Sequence, residues 1–210
     1  MNGAAAVDLR WYFDFISPFS YLHWQKVKAL PEAVVPVPIV FGAVLAACGQ
    51  KGPAEIAGKR EFTYRHVLWQ ARQEGVALRF PPTHPFNPLA ALRLCVAAGS
   101  TPRAVDALFD WIWKDGNAGD SFEALAPVAT ALGVPQDTAQ GDAAKAALRA
   151  NTDAAIAAGV YGVPTLAFAG NLFWGNDAHA FALADLRNPA VLADEEMQRV
   201  GTLPVGVQRR

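Results

Sequence analysis

Arg10-Trp11-Tyr12-Phe13-Asp14-Phe15-Ile16-Ser17-Pro18-Phe19-Ser20-Tyr21 decides the fold. Trp11, Tyr12, Phe13, Phe15 and Ile16 come in close succession and predict a strand over 8–16. Its near-continuous apolar character implies burial on both faces. At Ser17 the pattern turns helical. The Ser17 hydroxyl can accept from the unpaired N–H groups of a first helical turn. Pro18 suits the first helical position, where an N–H would lack a partner anyway. The helix is predicted from 18 to about 30, where Pro31 stops it. A polar side chain thus stands at the carboxyl end of a buried strand and at the positive end of a helix. That place favours an anion, whether phosphate, carboxylate or thiolate.

Outward from this stretch, 34–41 reads as a second strand, and Pro36 and Pro38 leave one of its edges unpaired. A strand, a helix and a strand imply a parallel pair. From Gly42 the chain becomes Ala-rich and helical, with helices predicted at 59–74, 89–98, 101–114, 122–132 and 143–158. Four prolines keep 80–88 irregular. Strand character returns at 164–168 and 171–174, joined by Ala169-Gly170 as a hairpin turn. A helix at 178–186 follows, then a short one at 194–200 and a tail. The fold class is α/β: a thioredoxin-like sheet (1–42 and 159–190) with an inserted all-helical domain (43–158) and a C-terminal extension (191–210).

Bulk properties narrow the function. A net charge of −1 and the lack of a basic run argue against a nucleic-acid partner. No apolar stretch reaches the length of a membrane span. Residues 1–7 have neither a cationic start nor a long apolar run, so they read as a loose leader and the protein as cytoplasmic. Cys48 and Cys95 lie far apart and are expected to be free thiols in a reducing compartment. His23, His66, His84 and His179 have no ligand spacing, so no metal is expected.

Ser17-Pro18-Phe19-Ser20 sits where thioredoxin-like proteins carry Cys-x-x-Cys, but hydroxyls form no disulfide. The run from Asp14 to Leu22 resembles the opening motif of the 2-hydroxychromene-2-carboxylate isomerases, relatives of kappa-class glutathione transferases and of DsbA. Gly159-Val160-Tyr161-Gly162-Val163-Pro164-Thr165 and Phe173-Trp174-Gly175-Asn176-Asp177 resemble the same family near its C-terminus. Gly49 to Pro53, Lys59-Arg60 and Phe80 to Leu89 are also similar, so the resemblance spans 8–186.

The resemblance implies glutathione as cofactor, an aromatic carboxylated substrate and a homodimer. Ser17 would be the catalytic residue, hydrogen-bonding the glutathione sulfur. Val163-Pro164 would be a cis-proline site whose backbone pairs with the peptide. Asn176 and Asp177 would hold the γ-glutamyl end, with Asp177 also capping the last helix. Lys59 would contact the glycyl carboxylate, and Gln50 would stand where relatives more often have Asn. Ala178 replaces the Arg usual after that Asp. Asn87 reads as structural, bordering the acceptor pocket. Trp69 and Trp174 are expected in the core, with an aromatic substrate wall as their alternative. Two other readings stay open: a kappa-like glutathione transferase and a glutathione- or partner-binding module without turnover. A disulfide oxidoreductase is disfavoured by Ser17 and Ser20.

Overall fold

The computed structural model describes residues 8–207, so the leader expected at 1–7 lies outside it. Strand β1 (Leu9–Phe13) is shorter than expected, because Asp14 leaves the ladder to hold the backbone instead. Its Oδ1 accepts from the Ile16 N–H at 3.0 Å and its Oδ2 from the Phe41 N–H at 2.9 Å. Helix α1 (Pro18–Val27) begins where the serine-proline pair places it, with the Ser17 Oγ accepting from the Ser20 N–H at 3.2 Å. β2 (Val34–Pro38) runs parallel to β1, pairing Leu9 with Val34 and Phe13 with Pro38. The end of the strand expected at 34–41 instead enters α2 (Phe41–Ala47).

A short 3-10 turn at Pro53–Glu55 precedes α3 (Lys59–Gln73). The proline-rich segment is irregular and contains a cis His84–Pro85 bond. Then come α4 (Leu89–Ala97) and α5 (Pro102–Phe109), the latter capped by Thr101 and continued by a π turn at Asp110–Lys114. α6 (Ala126–Leu132), α7 (Gln136–Gln140) and α8 (Asp142–Ala157) complete the helical segment. β3 (Thr165–Phe168) and β4 (Asn171–Trp174) form the expected hairpin. α9 (His179–Arg187) and α10 (Glu195–Gly201), the latter capped by Asp194, close the chain.

The sheet order is β2-β1-β3-β4, with β3 antiparallel to both of its neighbours. Proline-bearing β2 is therefore an edge strand, as its missing donors require. β1 is central. Its Leu9, Trp11 and Phe13 join the larger core, while Tyr12 joins a second cluster with Ile39, Val44, Ala155 and Val160 on the opposite face. In the larger core Trp11 stacks on Phe13 (centroids 4.4 Å) and on Trp24 (5.0 Å), and Phe109 packs 4.7 Å from Phe15. The Trp113 indole N–H donates to the Phe15 carbonyl at 2.7 Å. The helical segment thereby holds the turn that carries Ser17.

The two tryptophans expected in the core are exposed, Trp69 by 57% and Trp174 by 53%. The inner face of α3 belongs to Val67 and Ala71, so Trp69 points outward and stacks on His66. β4 is an edge strand on which alternation buries Phe173 and turns Trp174 out, against Gly162. A Cβ at Gly162 would overlap that indole.

Candidate active site

A cavity of about 790 Å³ lies beside the N-terminus of α1. Its wall is assembled from α1, α2 and the loop after it, α3, the proline-rich segment, and the stretches flanking the β3–β4 hairpin. Ser17, Gln50, Lys59, Val163, Pro164, Asn176 and Asp177 all line it, so residues spread over most of the chain meet at one place.

Each reaches the wall for a local reason. Ser17 is nearly buried; its oxygen accepts from the Ser20 N–H, which leaves its proton free to donate. Val163 precedes Pro164 through a cis bond. Among the described residues neither its N–H nor its C=O has a hydrogen-bond partner, while the Pro164 carbonyl accepts from the Gly175 N–H at 2.9 Å. Lys59 opens α3 and is exposed, with no ion pair among the described residues. Gln50 is exposed just after α2.

The Asn176 side chain lines the cavity and is held by two neighbours. Its Oδ1 accepts from Lys26 Nζ at 3.0 Å and its Nδ2 donates to Glu74 Oε1 at 3.3 Å, while Lys26 and Glu74 pair at 2.8 Å. Asp177 does not cap a helix: α9 starts two residues later, after Ala178, and has no side-chain cap. Gly175, at φ 104°, turns the chain sharply here, and the exposed Asp177 carboxylate folds back against it. Asn87 also lines the cavity, and its Oδ1 accepts from the Leu89 N–H at 3.1 Å as an aid to starting α4.

Three features escaped the sequence reading. Tyr64 of α3 and His84 of the proline-rich segment meet on the cavity wall, with Tyr64 Oη 2.5 Å from His84 Nδ1. His84 Nε2 lies 2.8 Å from the Ile16 carbonyl, next to Ser17. Burial, and then the Arg60 charge, hold the His84 pKa below the usual imidazole value despite the opposing bond to Ile16. The Gln70 side chain lines the cavity, while its Oε1 is buried behind the wall without a hydrogen-bond partner. Asp14 is fully enclosed, and burial pushes its carboxyl up to about 7 against the opposing pull of the Ile16 and Phe41 amides. Only Asp14 carried a signal, as a polar residue inside an apolar run.

The cavity thus offers a hydroxyl donor at a helix N-terminus, an open stretch of backbone, an exposed carboxylate and an exposed ammonium. Residues 8–187 match the family model described as the DSBA-like thioredoxin domain. A 2-hydroxychromene-2-carboxylate isomerase of Pseudomonas sp. (strain C18) is 30% identical over 182 residues, which cover 81% of this chain and 86% of that one. The solved structure of a 2-hydroxychromene-2-carboxylate isomerase (HCCA isomerase) superposes with TM-score 0.74 at 24% identity, covering 90% of this chain and 98% of that one. The cytosolic disulfide reductase DsbM from Pseudomonas aeruginosa, solved with GSH, superposes with TM-score 0.56 at 17% identity, covering 85% and 98%.

Proposed function

The chain belongs to the DSBA-like thioredoxin family, among the relatives of the 2-hydroxychromene-2-carboxylate isomerases, and on that premise we propose that it is a glutathione-dependent isomerase. Its substrate would be 2-hydroxychromene-2-carboxylate, interconverted with trans-o-hydroxybenzylidenepyruvate, or a related aromatic carboxylate. The observation that carries this reading is the meeting of Ser17, Val163, Asp177 and Lys59 on one cavity wall. Ser17 there replaces the first cysteine of a redox pair and Ser20 the second, so the site binds a thiol rather than exchanging a disulfide with it.

The residues present suit glutathione at each of its groups. Ser17 has a free proton to donate to the sulfur, and the dipole of α1 favours thiolate over thiol there. The unpartnered Val163 N–H and C=O can take up an extended peptide as an added strand. Asp177 can take the γ-glutamyl ammonium and Lys59 the glycyl carboxylate. When bound, glutathione supplies the nucleophile whose reversible addition lets the substrate double bond rotate without net redox change. A thiol-dependent site of this kind suits a reducing, cytoplasmic setting.

Thermal unfolding with and without thiols tests the cofactor. A ligand held at a hundredfold excess over Kd stabilises by about 2.7 kcal/mol. Glutathione should therefore raise the Tm by roughly 5–10 °C. S-methylglutathione should do likewise, cysteine and mercaptoethanol should not, and Asp177→Ala should remove most of the shift. Isomerisation should require glutathione. Equal protection by every thiol, or turnover unaffected by its omission, would overturn the reading.

A further inference from the structure

We propose that Tyr64 and His84 form a relay that accepts a proton from a hydroxyl group of the acceptor substrate, so that the cavity selects hydroxylated aromatic carboxylates. This rests on the isomerase reading above and adds the substrate side of the same cavity. The geometry begins at Ile16. A carbonyl can only accept, so the 2.8 Å contact from His84 Nε2 to the Ile16 oxygen assigns the hydrogen to Nε2. In the neutral ring Nδ1 then holds a lone pair, and Tyr64 must be the donor across their 2.5 Å contact. The other acceptor within reach of the Tyr64 hydroxyl, at 2.8 Å, is the main-chain oxygen of His84 itself. Its one proton is committed to His84 either way. Arg60 holds the pair from outside, donating from Nε to Tyr64 Oη at 3.2 Å and from Nη2 to the His84 oxygen at 2.8 Å.

A phenol whose proton is already committed presents oxygen lone pairs to whatever occupies the cavity. It recognises an O–H, not a carbonyl or an ether. Tyr64 and His84 both line the cavity, and the His84 contact to the Ile16 carbonyl sets the pair one residue from Ser17. A substrate that reaches a sulfur held at Ser17 therefore passes within reach of the Tyr64 oxygen.

The relay balances. The ligand O–H proton passes to Tyr64 Oη as the Tyr64 proton passes to His84 Nδ1, leaving a ligand oxyanion, a neutral tyrosine and an imidazolium still bound to the Ile16 oxygen. On a cyclic hemiketal such as a 2-hydroxychromene, the oxyanion pair forms the C=O bond while the ring C–O bond breaks toward oxygen. The phenolate so released recovers the proton through Tyr64, and the pair returns to its starting state.

2-Hydroxycinnamate and 2-methoxycinnamate test the recognition by calorimetry at pH 7, where the free hydroxy compound is a phenol. The wild-type protein should bind the hydroxy compound about tenfold more tightly or better, because the ether would leave the Tyr64 oxygen facing a group that cannot donate. Tyr64→Phe should bind both compounds equally. His84 rests below the usual imidazole pKa, so it takes the proton only as the ring C–O bond breaks, and its part is read in the rate. His84→Gln keeps a donor for Ile16 but removes the Nδ1 base; it should keep the binding preference while kcat on 2-hydroxychromene-2-carboxylate falls by a factor on the order of 10². Equal or absent binding of the two compounds by the wild type, a preference surviving in Tyr64→Phe, or an unchanged kcat in His84→Gln would each overturn the relay. Glutathione protection with no hydroxyl preference would sink the relay alone. A hydroxyl preference with no glutathione protection would sink the cofactor and leave the relay standing.

Discussion

Ser17 and Ser20 occupy the two cysteine positions of a redox motif, yet their environments differ. The Ser17 oxygen accepts from the Ser20 amide and its proton is free toward the cavity. The Ser20 oxygen is fully buried and has no partner. Ser17→Ala should lower stability by about 1 kcal/mol, the loss of one helix cap. Its turnover should fall by a factor on the order of 10², the scale for removing one donor at a developing or resident anion. Ser20→Ala removes a buried group that makes no bond, so its stability should stay the same or rise and its turnover should persist. Paired melting and rate measurements on both variants decide this. Full turnover in Ser17→Ala with none in Ser20→Ala would reverse the assignment.

Among the elements, the β3–β4 hairpin gives the sharpest test of local chemistry. Phe168 pairs with Asn171, so Ala169 and Gly170 alone make the turn, and their φ values are 49° and 81°. Two positive φ values fit the type I′ turn that matches strand twist and favours Asn-Gly. Glycine adopts this backbone freely, whereas alanine carries a steric cost of roughly 1–2 kcal/mol in the left-handed region. Ala169→Asn should therefore stabilise the protein by about 1 kcal/mol, read as a rise of roughly 2–4 °C in Tm. The hairpin carries Gly175 to Asp177 on its far end, so the rise should come without loss of ligand binding. A lower Tm would show that the turn backbone differs from a type I′ turn.

Across the whole molecule, His23 joins the sheet to two helices. Its Nδ1 accepts from the Trp11 indole N–H at 3.1 Å, so its Nε2 carries the hydrogen and donates to His179 Nδ1 at 3.1 Å. Burial, then the His179 and Lys26 charges, depress its pKa from 6.5 to about 3. Between those values the unfolded chain binds the proton and the folded chain does not, so stability is complete above about 6.5 and is lost as the pH falls toward 3. His23→Gln can still accept from Trp11 but does not titrate. Denaturant melts at pH 7.5 and 4.5 should show a smaller drop for the variant than for the wild type. Equal drops would mean that other groups govern acid sensitivity.

The strand-to-helix switch at Ser17, the parallel pairing of β1 and β2, the hairpin and the short helix near 194–200 were legible in the sequence. Each depends on neighbouring residues or on missing proline donors. The isomerase motifs named the residues that line the cavity because these lie in short local stretches, 14–22 and 173–177 among them. Other features depend on the approach of segments far apart in the chain, about which periodicity says nothing. Sequence spacing could not show that Trp69 and Trp174 face outward, since the sides of α3 and β4 are assigned only once the sheet order makes β4 an edge. Nor could it show that Lys26 and Glu74 hold the Asn176 side chain. Tyr64 and His84 stand 20 residues apart on a helix and an irregular loop, and only packing beside the Ile16 carbonyl makes them a pair. The local pattern determined the scaffold and the place of Ser17 at a helix N-terminus; tertiary packing decided which polar groups remain free to meet a ligand, because a hydrogen-bonding group is open or spent only according to what folds against it.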